Sequence, residues 1–519
     1  MSTPAKVILD GNSLTIEQTA SVARGGDNTG SAYATVSLSG EAKKNVARCR
    51  ALVVRMVAED RLVYGVTTGI GEFARIKVSP AQAEELQKRI VHSHSASVGD
   101  EMPIPWVRAN ILLRANTLAK GHSGIRLEVL QTMLEMLNTG VTPVVYKRGS
   151  LGASGDLSPM SMIGEVVMGG GQAYFRGRKM KGSAALKKAE LSPWKLSYKE
   201  GLALINGSQT LTGIGALALH DTENLLKAAQ ISSAMTADAI QSSMQAYDPR
   251  PHALRGFRGQ KIVAQNILAL TKGSEIIPSN SGKVQDAYSL RCTPQVIGPS
   301  IDAYHYTRQA ILTEMNGLVD NPLFFPEQGD SVAAGNFHGQ APGMALDFLA
   351  IAVAEIGSLS ERHTNRLLNP ALSVGLPDFL VQGKGLNSGL MVAQYSAAAL
   401  VSENKILAHP AVVDSISVSA DQEDHVSMGM TSALKVADII RNVETVVAIE
   451  LLCAAQAFDF RKPKKPGKGT QAAYQHIRAC VSFLKNDRPL HPDIRAIEEI
   501  VRDRSLVKAV EGAVGTISI

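Results

Sequence analysis

The sequence predicts a mainly α-helical protein built round a bundle of long helices. Aromatic residues make up only 5% of the 519 residues while hydrophobic residues reach 45%. That balance suits close-packed Ala- and Leu-rich helices better than a β sandwich. Four stretches, 194–248, 343–368, 390–408 and 428–459, contain no proline and are rich in apolar helix formers. They are apolar on more than one face, the pattern of helices buried inside a bundle or against another subunit.

The elements follow in chain order. Lys6 to Leu9 alternates as a short strand would. Ser123 is placed to cap a helix whose apolar positions Val129, Leu130, Met133, Leu134 and Leu137 recur at helical spacing, and Gly140 ends it. Gln172 to Arg176 reads as a second short strand. Thr210 to Tyr247 reads as one long helix or two, and the remaining proline-free stretches as further helices. Gly-centred loops are commoner in the first two hundred residues, which divides the chain into an N-terminal domain, 1–205, and a helical remainder, 206–519. There is no internal repeat. The basic patch Arg461, Lys462, Lys464, Lys465 and Lys468, interleaved with Pro463, Pro466 and Gly467, reads as a solvated loop.

Composition excludes several classes. Fifty-three basic against 47 acidic residues give a net charge of +6, too mild on this length to argue for nucleic acid. Cys49, Cys292, Cys453 and Cys480 are widely spaced, which speaks against a disulfide framework or a zinc site and for a reducing compartment. The first residues lack a signal-peptide pattern. The most apolar stretches are interrupted by Asp347, Glu355 and Glu450, so none is expected to give the ~20 apolar residues of a spanning helix. A cytoplasmic protein is the expectation. Gly69-Ile70-Gly71 and Gly213-Ile214-Gly215 lack the third glycine of a dinucleotide fingerprint, and Gly169-Gly170-Gly171 is no phosphate loop. Ser154 does not stand in a nucleophile elbow. His92 and His94 lack a metal-binding context, so no metal is expected.

One segment carries unusual chemistry: Gly149-Ser150-Leu151-Gly152-Ala153-Ser154-Gly155-Asp156-Leu157-Ser158-Pro159. Its plain reading is a tight loop leading to a helix, with Asp156 or Ser158 as cap. In a loop bent tightly enough, however, the Gly155 nitrogen can attack the Ala153 carbonyl. Glycine offers no Cβ to block the approach and tolerates strained dihedrals. Loss of two waters, one taking the Ser154 hydroxyl, leaves an imidazolone with an exocyclic methylidene. That group is an electrophile, which the ordinary side chains do not provide.

The segment resembles the active-site loop of the aromatic amino acid ammonia-lyases and aminomutases, which build 4-methylideneimidazole-5-one (MIO) from Ala-Ser-Gly. The resemblance runs from about residue 8 to about residue 460, with further motifs in the family's order. Tyr64-Gly65-Val66-Thr67-Thr68-Gly69-Ile70-Gly71-Glu72-Phe73 is similar to its inner loop, which implies Tyr64 as the base for the substrate β-proton. An ordinary tyrosine, pKa ~10, needs a site that favours phenolate to do this at neutral pH. Asn206-Gly207-Ser208-Gln209 implies Asn206 beside the MIO. Gln285-Asp286-Ala287-Tyr288-Ser289-Leu290-Arg291-Cys292 implies Arg291 as the fork for the substrate carboxylate, with Tyr288 and Gln285 positioning the MIO and amino group. Gly335-Asn336-Phe337-His338-Gly339 implies Phe337 lining the site.

The residues that would meet the substrate side chain point to a branch of the family. Ser93-His94 is similar to histidine lyases and also to some tyrosine enzymes, and His94 can hydrogen-bond an imidazole or a phenol. Gln422-Glu423-Asp424-His425 is similar to the histidine lyases, where Glu423 would pair with the imidazole. Asn387-Ser388-Gly389-Leu390-Met391 implies Met391 flanking the ring. Thr67-Thr68, Glu72, Phe337-His338-Gly339-Gln340 and Gly375-Leu376-Pro377-Asp378-Phe379-Leu380 are similar to tyrosine aminomutases as well. The resemblance therefore implies histidine deamination to trans-urocanate, with a tyrosine ammonia-lyase or tyrosine 2,3-aminomutase as the alternative. It implies the ammonia-lyase/fumarase-like architecture, an N-terminal domain bearing the MIO, and no external cofactor or metal. It also implies a homotetramer with shared active sites.

Overall fold

The computed structural model describes residues 6–26, 33–279 and 283–519. The protein is dominated by helices, with strands of at most four residues among the described residues. Contacts group the chain into two compact units, each assembled from three segments. One comprises Met1–His220, Thr307–Asp347 and Pro410–Leu434; the other comprises Asp221–Tyr306, Phe348–His409 and Lys435–Ile519. Residues 206–220, 307–347 and 410–434, which a division at 205/206 assigns to the second part, thus group with the N-terminal segment.

In the first unit, Lys6–Leu9 pairs in parallel with Thr35–Leu38, burying Val7, Leu9, Val36 and Leu38. The helix Ile104–Ala119 is the heart of this unit. Every residue from Trp106 to Ala119 is buried, including Arg108, Asn110, Arg114 and Asn116. Such polar groups persist in a core only when hydrogen-bonded, and Arg108 donates to Val22 O while Asn116 donates to Met315 O. The next helix, Leu127–Thr139, buries all five apolar positions expected of it, and Gly140 closes it at φ +84°. Its start differs from expectation. Ser123 does not cap it; the cap position is Arg126, whose guanidinium forks onto the buried carboxylate of Glu200. Gln172–Phe175 forms the middle of a three-stranded sheet.

The long helices appear close to the expected bounds, at Gln209–Ala239, Gln340–Leu368, Met391–Leu407 and Gly429–Arg461. The first stops short of Tyr247, because Gln241 turns to φ +56° and a separate 3-10 turn, Met244–Tyr247, follows. In the second unit, Val443, Val446, Val447, Ile449 and Leu451 are all fully buried. This is a helix covered on all sides rather than an amphipathic one.

Two expectations about surfaces change. Arg461 is half-buried and tied to the fold. Its Nε donates to Ala239 O at 2.8 Å and its Nη2 to Val374 O at 2.9 Å, while Lys464 and Lys465 are exposed as expected. The helix Gln340–Leu368, despite Asp347 and Glu355, is long and apolar enough to cross a membrane, and 61% of its apolar window is buried inside the fold. The buried Asp347 carboxylate accepts the Ala411 and Val412 N–H groups at 2.6 and 2.9 Å. A core helix of a globular unit has these properties.

Candidate active site

The Ala153-Ser154-Gly155 loop lies in the first unit, between the strand Tyr146–Arg148 and the helix Leu157–Val167. Its bend depends on two left-handed glycines, Gly152 at φ +70° and Gly155 at φ +73°. At Gly155 the approach is closer still, since a Cβ there would sit 2.2 Å from the Gly207 carbonyl carbon and 2.3 Å from its oxygen. Asp156 N–H donates to that same oxygen at 2.7 Å, and Asn206 Nδ2 donates to Ser154 O at 2.9 Å.

From another direction, Gly339 N–H and Ser427 Oγ donate to Gly152 O at 2.9 and 3.0 Å, and Met428 N–H donates to Leu151 O at 2.8 Å. Ala153 packs on Val426 and Met428. Three distant pieces of chain therefore clamp the triplet. Ala153 and Gly155 are buried, while Ser154 is only half-buried. A triplet that condenses across its backbone and presents a former serine Cβ to a substrate fits this arrangement.

Asp156, a candidate cap for the following helix, makes no cap bond with its side chain. It ties the loop to the helix Gln209–Ala239 instead, accepting Ser150 Oγ–H at 2.7 Å and Leu211 N–H at 2.8 Å. Burial pushes its carboxyl up to about 6, against the downward pull of those bonds. A raised folded pKa stabilises the fold fully below the unfolded value near 4, and that contribution is lost as pH rises through about 6. The gap between the two values is worth about 3 kcal/mol. Asp156→Asn keeps the geometry without the charge. Its stability relative to the parent chain should therefore improve between about pH 4 and 7, which denaturation across that range measures; a difference constant with pH would contradict the assignment.

Tyr64 is half-buried in a tightly tied loop. Thr67 Oγ1 accepts Val63 N–H at 2.9 Å and donates to Arg61 O at 2.7 Å. Gly65, at φ +61°, is pressed against Leu202, and Gln87 Nε2 donates to Gly65 O at 3.0 Å. Gln87 Oε1 also accepts Gly201 N–H at 3.0 Å, so one buried side chain joins the Tyr64 loop to the helix that leads into Asn206. Burial raises the Tyr64 pKa, the Gly71 N–H donated to its Oη at 2.9 Å lowers it, and the Glu423 charge raises it again, with a net upward shift. Within one chain the phenolate is disfavoured, not activated.

His94 ends the helix Pro80–His94. Its Nδ1 is 2.8 Å from Ile90 O, an acceptor only, so Nδ1 carries the proton and Nε2 a lone pair in the neutral ring. The segment after it is fastened to the helix following the triplet by Ser158, which accepts Ala96 N–H and shares a hydrogen bond with Ser97 Oγ at 2.8 Å. Glu423 closes a turn against Val418 through Ser419, Ala420 and Asp421, all at φ between +51° and +61°. Three successive left-handed residues without glycine cost ~1–2 kcal/mol each, strain of the kind kept at functional sites. A Cβ on Gly71 would come within 3.2 Å of Ser419 Oγ, so this turn lies against the Tyr64 loop. Phe337 is half-buried, two residues before the Gly339 contact to the triplet.

The remaining expected residues belong to the second unit. Arg291 Nη1 donates to Gln285 Oε1, and its guanidinium stacks over the Tyr288 ring at 4.8 Å. Tyr288 is 71% exposed in the single chain. Met391 is the first residue of the helix Met391–Leu407. Several supporting residues escape sequence reasoning: Gln87, Arg114, Lys199 and Asp320 in the first unit, His363 and Glu450 in the second. Arg114 and Glu450 left a local signal, each a charge inside an apolar run. Among the described residues there is no group of three or more His, Cys, Asp or Glu suited to a metal ion.

Comparison with known proteins adds an independent line. A family model described as aromatic amino acid lyase matches residues 14–479. The histidine ammonia-lyase of Symbiobacterium thermophilum is 49% identical over 506 residues, 97% of this chain and 98% of that protein. The crystal structure of histidine ammonia-lyase from Trypanosoma cruzi is similar at TM-score 0.90 and 39% identity, over 98% of this chain and 95% of that one. A tyrosine aminomutase from Streptomyces globisporus is similar at TM-score 0.92 and 34% identity, over 99% of both chains.

Proposed function

The chain belongs to the aromatic amino acid lyase family, and from that premise we propose that it deaminates L-histidine to trans-urocanate and ammonia without an oxidant. The observation that carries the substrate is Glu423, a carboxylate within electrostatic reach of the Tyr64 phenol. Beside an imidazole it gains an ionic hydrogen bond; beside a phenyl ring it would be desolvated without return.

The MIO that this reading derives from Ala153, Ser154 and Gly155 supplies the electrophile that turns the substrate amine into a leaving group. The protein's own groups do the rest. Arg291, aligned by Gln285 and stacked on Tyr288, holds the α-carboxylate. With the substrate ring as an imidazolium, His94 Nε2 accepts one ring N–H and Glu423 accepts the other, and Met391 and Phe337 line the apolar sides. Asn206 fixes the loop through Ser154 O. Tyr64 takes the β-proton; the Gly71 N–H stabilises its phenolate, against the larger upward push of burial. An imidazolium paired to Glu423 also offsets that carboxylate's field at Tyr64, the smallest of the causes acting on the phenol.

Two features support a homotetramer with shared sites. Tyr288 is exposed in one chain, and the helix Met391–Leu407 exposes Val392 at 52%, Tyr395 at 62% and Ile406 at 74%. Apolar faces of this kind mark contacts between subunits. The four free cysteines fit a cytoplasmic location. No metal, external cofactor, nucleic acid or membrane enters this reading. The likeness to a tyrosine aminomutase keeps one rival, since the His94 lone pair can equally accept a phenol O–H.

The test is product identification with L-histidine, L-tyrosine and L-phenylalanine, with Ser154→Ala beside the parent enzyme. Urocanate and ammonia from histidine alone, absent in the variant, are expected. Coumarate or a β-amino acid from tyrosine, with histidine inert, would overturn the substrate. Glu423→Gln should lower kcat/KM for histidine about 10²-fold, the scale of a lost ionic hydrogen bond.

A further inference from the structure

Outside the groups used above, the second unit holds a closed ionic cluster at the back of the Tyr288–Arg291 turn. His363 and Glu450 are both fully buried, on the helices Gln340–Leu368 and Gly429–Arg461. His363 Nδ1 lies 2.9 Å from Glu450 Oε1, and its Nε2 lies 2.7 Å from Ser289 O. A backbone carbonyl can only accept, and a carboxylate here accepts too. Both ring nitrogens must then carry hydrogen, which makes the ring an imidazolium. Glu450 is supplied accordingly: Ser232 Oγ, Thr236 Oγ1 and Ser360 Oγ donate to it at 2.8, 2.7 and 2.7 Å. With the His363 N–H, four donors serve the buried carboxylate.

We propose that His363, charged and locked to Glu450, is a positioning residue for the substrate-carboxylate anchor. Its Nε2–H pins the Ser289 carbonyl, two residues before Arg291, inside the turn that carries Tyr288 and Arg291. Tyr247 Oη pins the next carbonyl, Leu290 O, at 2.8 Å, and Thr293 Oγ1 adds a second bond to Ser289 O at 2.9 Å. Among the described residues the guanidinium itself is held by the exposed Gln285 and by stacking on the exposed Tyr288. Its placement therefore depends on the backbone beneath it. A neutral His363 would turn a lone pair toward either Ser289 O or Glu450, and the turn would shift.

The charges around the ring agree. Burial pulls the His363 pKa down, but the Glu450 charge, its hydrogen bond and the Ser289 carbonyl outweigh it, with Arg366 opposing. Cys453 also feels Glu450; its thiol is pushed up by burial and by that carboxylate and so stays neutral. With the folded pKa raised, the imidazolium is complete below pH ~6.5 and is lost as pH rises through the higher folded value.

The proposal rests on Arg291 binding the carboxylate, so the experiment separates the two. KM and kcat for L-histidine are measured against pH for the parent enzyme, His363→Gln, Glu450→Gln and Arg291→Gln, with intact mass taken for each. His363→Gln should raise KM about tenfold with kcat within a factor of two to three, and should still show the two-water mass loss. The parent's KM should climb at alkaline pH, a climb absent from His363→Gln and shifted to lower pH in Glu450→Gln. If Arg291→Gln leaves KM unchanged, the carboxylate reading fails. If Arg291→Gln raises KM while His363→Gln does not, or lowers kcat alone, the positioning role fails and the reading of Arg291 stands. Should His363→Gln not fold, the parent and Glu450→Gln profiles decide, and coincident profiles overturn the proposal.

Discussion

Gly155→Ala is expected to give a folded protein with almost no turnover. The left-handed φ of +73° costs an alanine ~1–2 kcal/mol, and the new Cβ would fall 2.2 Å from the Gly207 carbonyl carbon. Relieving that contact adds ~1–3 kcal/mol, which a chain of this size survives. The loop, however, must move away from Gly207 and Asn206. The hydrogen bond from Asn206 to Ser154 O and that from Asp156 N–H to Gly207 O depend on that proximity. The Gly155 nitrogen then leaves the approach to the Ala153 carbonyl. Activity should fall at least ~10³-fold, the scale of losing a whole catalytic group, and the variant should retain the mass of the uncondensed chain. An active Gly155→Ala enzyme would show that the Gly207 cradle has no part in maturation.

Asp320→Asn should be the most destabilising single change in the first unit, by ~3–5 kcal/mol. Lys199 Nζ sits 3.0 and 3.1 Å from the two Asp320 oxygens, and Arg114 Nη2 sits 3.4 Å from one of them. Side-chain exposures are 0% for Lys199 and Asp320 and 1% for Arg114. Burial lowers the pKa of both cations, and the Asp320 charge opposes this only in part. Removing one carboxylate charge strands two cations without water. Lys199→Met removes the other partner and leaves the Arg114–Asp320 pair, so it should cost clearly less. The change should also reach the active loop, because Arg114 Nη1 donates to Asn206 O at 2.8 Å and Nε to Ala203 O at 2.7 Å. Denaturant unfolding of the three proteins measures the order; an Asp320→Asn loss below ~1 kcal/mol would contradict it.

What could be read from the sequence was local. A long proline-free apolar run has few alternatives to a helix, so the stretches 428–459 and 343–368 made most of Gly429–Arg461 and Gln340–Leu368 legible without tertiary information. The start of Leu127–Thr139 was not, because Arg126 is fixed by Glu200, seventy-four residues away. The same limit applies around the site. Ala153-Ser154-Gly155 has a chemistry of its own, but its clamp comes from Gly207, Gly339 and Ser427, and only the resemblance linked those segments in advance. Lys199 and Asp320 are separated by 121 residues and His363 and Glu450 by 87, with no shared period or motif. The left-handed turn Ser419–Asp421 that sets Glu423 contains no glycine to announce it.

The central claim is that Ala153, Ser154 and Gly155 condense into an electrophile, and mass spectrometry of the intact protein tests it most directly. The purified chain should be lighter than its sequence by two waters. Proteolysis should place the loss between Ser150 and Asp156, and Gly155→Ala should carry the full mass. A parent chain at the full mass of its sequence, yet active on histidine, would contradict the account.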